Sequence, residues 1–231
     1  MTLPEPLIEG KLVERYQRFL ADVRLGNGQI VTAHCPNSGS MMGLLQPGNP
    51  VLLSKSKNFK RKLPYTWELV RVNGAWVGVN TINANRLVHE ALRNKQIPEL
   101  SAYKEIKREA NCGPHSRLDF SLKEGKRVCF VEVKNVTLAE NGVALFPDAK
   151  TKRGIKHLYH LMEIVRQRMR GVMCYFVHRE DCHVLKPADA IDPTYADTLR
   201  NAHQMGVEIL VYRAKISPPE VTIHCALEFE L

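Results

Sequence analysis

Two segments, Arg117-Leu118-Asp119-Phe120-Ser121 and Phe130-Val131-Glu132-Val133-Lys134, decide the fold of the second half of this sequence. In each segment the side chains alternate between two faces with a period of two, which is typical of buried β-strands. The intervening Glu124-Gly125-Lys126-Arg127 has the polarity and the glycine of a hairpin turn. We therefore predict an antiparallel hairpin that brings Asp119 and Glu132 together.

Asp119, Glu132 and Lys134 would place two carboxylates and an amine in a largely apolar setting, and burying charges without partners is costly. A hard divalent cation, Mg²⁺ or Mn²⁺, would offset this cost, because it prefers oxygen ligands and leaves positions for water and phosphate oxygens. In that interpretation the carboxylates bind the metal ion, while Lys134 orients the attacking water and offsets charge on a phosphoryl group. The alternative is a structural ion pair between Lys134 and a carboxylate at a strand end.

The composition is typical of a soluble globular protein with a basic balance. The 231 residues carry a formal charge of +9, and the pI is near 9.3. Such a charge favours an anionic partner, with DNA as the leading candidate, although membrane surfaces and small phosphates are also anionic. No segment resembles a signal peptide or a membrane span, and the six cysteines contain no Cys-x-x-Cys pair. We predict a cytoplasmic protein with reduced cysteines.

Residues 1–82 contain short candidate strands separated by turn signals, without a convincing long helix. Gly26-Asn27-Gly28 and Asn73-Gly74 are typical hairpin turns. The candidate strands are residues 8–19, with a bend, 21–25, 30–34, 51–56, 67–72 and 75–79. This density of strands predicts a small barrel of the OB-fold type, a frequent platform for single-stranded nucleic acid. A barrel that only supports the second domain is the alternative.

The barrel segment contains 10 Lys and Arg against 5 Asp and Glu, and half of those basic residues fall within residues 55–62. Such a run is usually a solvated loop. Here an aromatic residue, Phe59, would stack on a base while its neighbours contact phosphates. The predicted DNA-binding residues of this loop are Lys55, Lys57, Phe59, Lys60, Arg61 and Lys62.

A polar turn follows the candidate strand at residues 30–34, with the sequence His34-Cys35-Pro36-Asn37-Ser38-Gly39-Ser40-Met41. Adjacent strand residues point to opposite faces, which argues against His34 and Cys35 as a base and nucleophile. We predict that this turn packs against the second domain or offers backbone N–H groups to an anion.

The pattern changes near residue 82, where an apolar stripe predicts a helix over residues 83–93. Asn83 or Asn85 would cap it. Glu90 lies close to this stripe, and we predict it as a third carboxylate near the metal ion, in contact directly or through water.

The elements after this helix predict a mixed sheet. Three strands with short links form a meander, a long helix crosses over, and the next strand is parallel to the third. Asp148 would cap the long helix, predicted over residues 149–170. The remaining elements are a strand at 172–177, a helix from Asp192-Pro193 to near Gly206, and a strand at 207–212.

This topology resembles that of the restriction-endonuclease-like, PD-(D/E)XK nuclease superfamily, in which an Asp on the second strand precedes a Glu-x-Lys on the third. Asp119, Glu132 and Lys134 match that motif, although Leu118 stands where the superfamily has proline. The resemblance implies that these three residues are catalytic.

The long helix after the motif has a basic first half, for which a solvated face is the alternative interpretation. The resemblance to nuclease folds implies a basic or amide side chain from this helix at the active site, and Lys156 is the candidate. Arg153 and Lys156 are the predicted DNA contacts there. His157 and His160 have no nearby acidic or cysteine partner in the sequence, so we expect phosphate contacts or packing instead of metal ligation.

Over its whole length the chain resembles the sugar fermentation stimulation protein A (SfsA) family. Segments in the same order carry the resemblance, among them 15–23, His34-Cys35-Pro36-Asn37-Ser38-Gly39, 66–69, Asn85-Arg86-Leu87, 116–120, 132–140, Phe146-Pro147-Asp148-Ala149, 153–158 and 206–210. The resemblance implies an N-terminal OB-fold, a nuclease-like C-terminal domain, DNA binding without sequence preference, and a link to the regulation of sugar, chiefly maltose, metabolism.

We therefore predict an OB-fold-like nucleic-acid-binding domain over residues 1–82 and a PD-(D/E)XK nuclease-like, mixed-sheet α/β domain over residues 83–231. The predicted function is DNA binding that influences gene expression, which the family description favours. The alternative is a Mg²⁺-dependent phosphodiesterase acting on a nucleic-acid structure, which the intact triad favours because binding alone requires no such set.

Overall fold

The computed structural model describes residues 1–113 and 116–231. Its N-terminal part is a barrel with a hairpin extension. The strands are β1 (Leu7–Tyr16), β2 (Leu20–Leu25), β3 (Ile30–His34), β4 (Pro50–Lys55), β5 (Tyr65–Val72) and β6 (Ala75–Gly78). Strands β1 to β5 are joined by antiparallel pairs, and a short parallel pair between β3 and β5 closes the barrel. The predicted OB-like barrel is confirmed.

The bend predicted in the first strand is a break in register between Leu12 and Glu14 where β1 pairs with β2. The strand then ends at Tyr16 and not at residue 19, because Gln17 and Arg18 adopt positive φ and turn the chain into β2. The predicted Asn73-Gly74 turn also has positive φ at both residues, as a tight hairpin turn between β5 and β6 requires.

The second domain contains three α-helices and one 3-10 helix among the described residues. The helices are α1 (Ile82–Arg93), a 3-10 turn (Pro98–Leu100), α2 (Lys152–Arg166) and α3 (Pro193–Gln204). The strands are β7 (Glu105–Gly113), β8 (Ser116–Glu124), β9 (Arg127–Val136), β10 (Leu138–Glu140), β11 (Val143–Phe146), β12 (Arg170–Val177), β13 (Val184–Pro187), β14 (Glu208–Ser217), β15 (Glu220–Ala226) and β16 (Glu228–Phe229).

The main sheet has the strand order β15-β14-β12-β9-β8-β7, and a smaller sheet has the order β10-β11-β13-β16. As predicted, β7, β8 and β9 form an antiparallel meander, and β12 returns parallel to β9 after α2. Helix α1 packs against one face of the main sheet and α2 with α3 against the other, which buries apolar side chains on both faces of β9 and β12.

Two of the three predicted helix beginnings require correction, whereas α3 begins at Pro193 after an Asp192 cap, as predicted. Asp148 does not cap α2; the Thr151 side chain accepts a hydrogen bond from Gly154 N and caps a helix that starts at Lys152. The N-cap residue of α1 is Thr81, whose side chain makes no cap hydrogen bond, and neither predicted asparagine holds that position. Asn80 Oδ1 accepts instead from Ile82 N, at 3.2 Å. Helix α2 also ends at Arg166, earlier than predicted, since β12 already begins at residue 170.

One hydrophobic cluster spans the barrel and the second domain, beside a separate cluster inside the barrel and another between the main sheet and helices α2 and α3. Leu52 and Leu69 of the barrel pack in the same cluster as Leu87 and Val88 of α1 and Phe120 of β8. Next to Leu69 in the barrel sheet, Gly78 of β6 lies against the end of β12, and its N–H donates to the carbonyl of His178. The division at residue 82 stays a prediction.

Residues 36–41 of the barrel hold the segments that precede α1 and α2. The Thr81 hydroxyl donates to Pro36 O at 2.9 Å. Met41 N donates to the Asp148 carboxylate at 3.0 Å, and the Ser40 hydroxyl donates to Asp148 O at 2.6 Å. The predicted packing of this turn against the second domain is therefore observed, and the binding of an anion by its backbone stays a prediction.

Across the described ranges, no helix combines the length and the hydropathy that crossing a bilayer requires.

Candidate active site

Asp119 lies where β8 and β9 diverge. The ladder between these strands ends at the Phe120–Val131 pair. Beyond it, the Val133 N–H donates to Asp119 Oδ2 at 2.7 Å, so the side chain replaces a backbone partner. Asn85 of α1 donates from Nδ2 to the other oxygen, Oδ1, at 2.7 Å. Asp119 is therefore held from both the sheet and the helix.

Glu132 and Lys134 lie on the face of β9 that meets α2, as their common parity predicts. Lys134 Nζ donates to Glu132 Oε1 at 2.7 Å, and the Glu132 side chain is only 5% exposed. His157 Nδ1, on the second turn of α2, contacts the same carboxylate oxygen and lies 3.1 Å from Lys134 Nζ. A carboxylate only accepts, so the network assigns the hydrogen to His157 Nδ1.

The two carboxylates are close enough to affect each other. Burial and the nearby charge of Glu132 raise the pKa of Asp119 to about 6. The hydrogen bonds from Val133 and Asn85 lower this pKa, but by less. Burial acts in the same direction on Glu132, but the hydrogen bond from His157 and the charge of Lys134 outweigh it, and the pKa of Glu132 is lowered. Asp119 is thus the carboxylate whose negative charge is poorly compensated.

This donor set fits a hard divalent cation. A buried carboxylate, Glu132, and a half-buried one, Asp119, supply oxygen ligands of the kind that Mg²⁺ and Mn²⁺ take, and both ions usually keep several waters. In the described ranges no group of three or more His, Cys, Asp and Glu side chains could hold a metal ion. Asp119 and Glu132 would therefore have to share the ion with water or substrate oxygens.

Glu90 does not join this cluster, which corrects the prediction of a third carboxylate from α1. Its carboxylate accepts from the α-amino group of Met1 at 3.0 Å, beside β15. Glu90 is five residues after Asn85, so it projects from a different side of the helix. The residue of α1 that reaches the cluster is the amide Asn85.

Lys156 is exposed, and no hydrogen bond or ion pair in the described chain joins it to the cluster. The residue of α2 that contacts the cluster is instead its neighbour His157. Burial and, after it, the charge of Lys156 lower the pKa of His160, so Lys156 lies near the second turn of the helix that carries His157. Arg153 is also exposed, one turn earlier. These two residues remain candidates for phosphate contact at the rim.

The loop between β4 and β5 carries the predicted basic run. Phe59 is fully exposed, and Lys60 and Lys62 are exposed beside it. The other three basic residues of the loop line a cavity of about 380 Å³ together with a residue of α1, and we call this cavity the junction groove. Its basic residues are Lys55, Lys57, Arg61 and Arg86.

Two family models match the chain, and together they account for most of its length. "SfsA N-terminal OB domain" matches residues 13–79, and "Sugar fermentation stimulation protein RE domain" matches residues 82–220. The chain belongs to the SfsA family. The resemblance seen in the sequence is confirmed.

Relatives match over nearly the whole chain. A sugar fermentation stimulation protein homolog of Geobacter sulfurreducens is 56% identical over 96% of both chains, and one of Citrifermentans bemidjiense is 55% identical over 98% of both. The solved structure described as Pyrococcus furiosus SfsA in complex with Ca²⁺ is 26% identical, with a TM-score of 0.90 over 100% of both chains.

Sequence reasoning missed Asn85 and the main role of His157. His157 sits beside Leu158 on the buried stripe of α2, and a titratable residue on an apolar stripe is a signal for a buried partner. Asn85 gave a weaker signal, as an amide in the first turn of an amphipathic helix, where a capping role is the usual expectation.

Proposed function

We propose that this protein binds DNA, without strong sequence preference, through the junction groove and the adjoining loop between β4 and β5. The observation that carries the proposal is the groove itself, in which both domains contribute basic residues to the lining. None of Lys55, Lys57, Arg61 and Arg86 makes an ion pair with any residue that the structure describes. Unpaired cations on one concave surface match a phosphate backbone.

The family supports this assignment. An OB domain is a platform on which strands of nucleic acid are bound by a basic groove and by aromatic side chains. The exposed Phe59 supplies such a side chain at the edge of the groove. Relatives are named for sugar fermentation, and in our proposal the effect on sugar metabolism, maltose in particular, follows from DNA binding.

The test is a salt titration of binding to labelled single-stranded and duplex oligonucleotides. Replacing Lys57, Lys60 and Arg61 by Ala should lower the affinity and reduce the slope of log K against log salt by up to about three contacts' worth. Phe59→Ala should weaken single-strand binding by about 1 kcal/mol or more.

A matched control removes the same charge elsewhere. Lys123, Lys126 and Arg127 are exposed at the β8–β9 turn, the end of the hairpin away from Asp119. Their replacement by Ala should leave the slope almost unchanged. Equal losses in both triple variants would mean that net charge, and not the groove, determines binding.

The second candidate function is metal-dependent cleavage of a phosphodiester. It is supported by the neighbouring carboxylates Asp119 and Glu132, since burial and the charge of Glu132 raise the pKa of Asp119, and by the Ca²⁺ in the related Pyrococcus furiosus structure. Asp119 and Glu132 would hold Mg²⁺ or Mn²⁺, which would supply Lewis acidity and a more acidic bound water. Lys134 would place a positive charge at the phosphoryl group, and His157 would hold Glu132 in position.

Purified protein incubated with single-stranded, duplex and branched DNA, in Mg²⁺, Mn²⁺ or EDTA, tests this candidate. Asp119→Asn should abolish metal binding measured by calorimetry, with little effect on DNA affinity. Lys134→Met keeps the apolar stem and should retain the metal while losing cleavage. Absence of both metal binding and cleavage in the wild type would leave DNA binding as the only function.

A further inference from the structure

Glu68 of β5 is a buried carboxylate without a cationic partner in the described chain. It is 2% exposed and lies at the floor of the junction groove. Its Oε2 accepts from Asn80 at 2.9 Å and Asn83 at 3.1 Å, whereas its Oε1 accepts only from the Ser54 hydroxyl, at 2.8 Å. A carboxylate oxygen accepts two hydrogen bonds, so Oε1 retains an unused lone pair.

The groove therefore has two chemically different ends. The rim carries Lys55, Lys57, Arg61 and Arg86, while the floor presents an anionic acceptor supported by amides. Burying a carboxylate that only neutral groups contact is costly, and functional sites tolerate such costs. Glu68 would repel a simple anion at the floor of the groove, so the floor selects for a ligand that donates a hydrogen bond.

We propose that the junction groove is a pocket for one unstacked nucleotide, with its phosphate on the basic rim and an N–H group of its base on Glu68 Oε1. Nucleotides combine both features, and a cavity of about 380 Å³ lies within the range of small-ligand sites. This inference rests on the proposed function, because it defines how one unit of the bound DNA is held.

Helix α1 connects this pocket with the carboxylate cluster. Asn83 faces Glu68 and Asn85 faces Asp119, and residues two apart project from nearly opposite sides of a helix. The pocket and Asp119 thus flank the same helical turn. A nucleotide held in the pocket is the one whose neighbouring phosphodiester lies closest to the cluster.

Fluorescence polarisation with two single-stranded oligonucleotides of equal length and charge, one with bases and one entirely abasic, tests the pocket. The wild type should bind the strand with bases about tenfold more tightly. In Glu68→Gln the amide oxygen still accepts from Asn80 and Asn83, and the amide nitrogen donates to Ser54 and faces the base N–H. This variant should lose the part of the preference that stacking on Phe59 does not supply, and it should keep its affinity for the abasic strand.

Phe59→Ala is the matched control, because stacking on the loop would also produce a preference for bases. A preference that persists in Glu68→Gln and vanishes in Phe59→Ala would overturn the pocket. If Glu68→Gln unfolds, titration of the wild type by NMR still tests the proposal, since deoxynucleoside 5′-monophosphates should shift the signals of the groove and inorganic phosphate should not. Equal binding of monophosphate and strand would indicate a free nucleotide as the occupant of the same pocket.

The outcomes separate this inference from the function on which it rests. A wild type that binds both strands equally and ignores monophosphates has no nucleotide pocket, yet still binds DNA. A wild type that binds neither strand refutes the proposed function itself.

Discussion

At the scale of single residues, Asp119 makes hydrogen bonds that hold β8, β9 and α1 together, but its negative charge lies in an unfavourable environment. Its oxygens accept from Val133 N and Asn85 Nδ2, which stabilises the divergence of β8 and β9. The same position is buried and faces the charge of Glu132, which is unfavourable for a carboxylate without a counterion. The charge that would bind a metal ion therefore lowers the stability of the metal-free protein.

Asp119→Asn should raise the stability of the metal-free protein at pH 8. Burial and the charge of Glu132 raise the pKa of Asp119 to about 6, so the ionised side chain costs stability at pH 8, and the substitution removes that ionised group. Asn85 can turn its amide so that its oxygen faces the new donor. The gain should be about 1 to 3 kcal/mol in the free energy of unfolding, measured by chemical denaturation. A loss of stability would show that the hydrogen bonds to the charged form outweigh the repulsion.

At the scale of elements, the contact between β6 and the end of β12 depends on Gly78, because there is no room for a side chain at this position. A Cβ atom at Gly78 would lie 2.0 Å from Cε1 of the His178 ring, which is itself buried. His178 Nδ1 in turn lies 3.0 Å from Asn135 Oδ1 on β9, so the ring is fixed from the other side. The two domains therefore meet closely at this point.

Gly78→Ala should destabilise the protein by about 1 to 3 kcal/mol, because the added methyl group forces the domains apart. Adding His178→Ala should restore part of that loss, and a double-mutant cycle measures the coupling. Gly26→Ala is the control, since Gly26 has open space around its Cβ position. Additive effects of Gly78→Ala and His178→Ala would contradict the contact.

At the scale of the whole molecule, stability below neutral pH depends on groups with opposite effects. Burial lowers the pKa of His178 to about 3 from 6.5, so the unfolded chain binds a proton first and stability falls as the pH drops from 6.5 towards 3. Asp119, with its pKa raised to about 6, takes up a proton first in the folded state, so stability rises as the pH falls from 6 to 3.8.

His178→Gln should separate these effects, because the Gln amide can still donate to Asn135 while it no longer titrates. Relative to the wild type, the variant should become more stable by about 2 kcal/mol between pH 7 and pH 5, at about 1.4 kcal/mol per pH unit below 6.5. Urea denaturation of both proteins at the two pH values measures this difference. The same difference at pH 7 and pH 5 would mean that His178 has the same pKa in the folded and the unfolded protein, so that burial does not lower it.

The sequence determined the features that depend on local periodicity and on turn chemistry. The alternation around Asp119 and Glu132 and the hairpin turn between them predicted both the strands and the closeness of the carboxylates. Glycine and asparagine at the turns predicted the barrel strands to within a few residues. These features involve neighbours along the chain, so the residues themselves specify them.

The tertiary structure decided which helical side chains meet the cluster and where the basic loop lies. Asn85 reaches Asp119 instead of Glu90, and His157 reaches Glu132 instead of Lys156. A helix presents several residues near any point of a sheet, and the choice depends on its rotation and crossing angle, which packing of the whole core sets. The junction groove likewise exists only because Leu52 and Leu69 pack beneath α1 and bring Arg86 to the barrel loop.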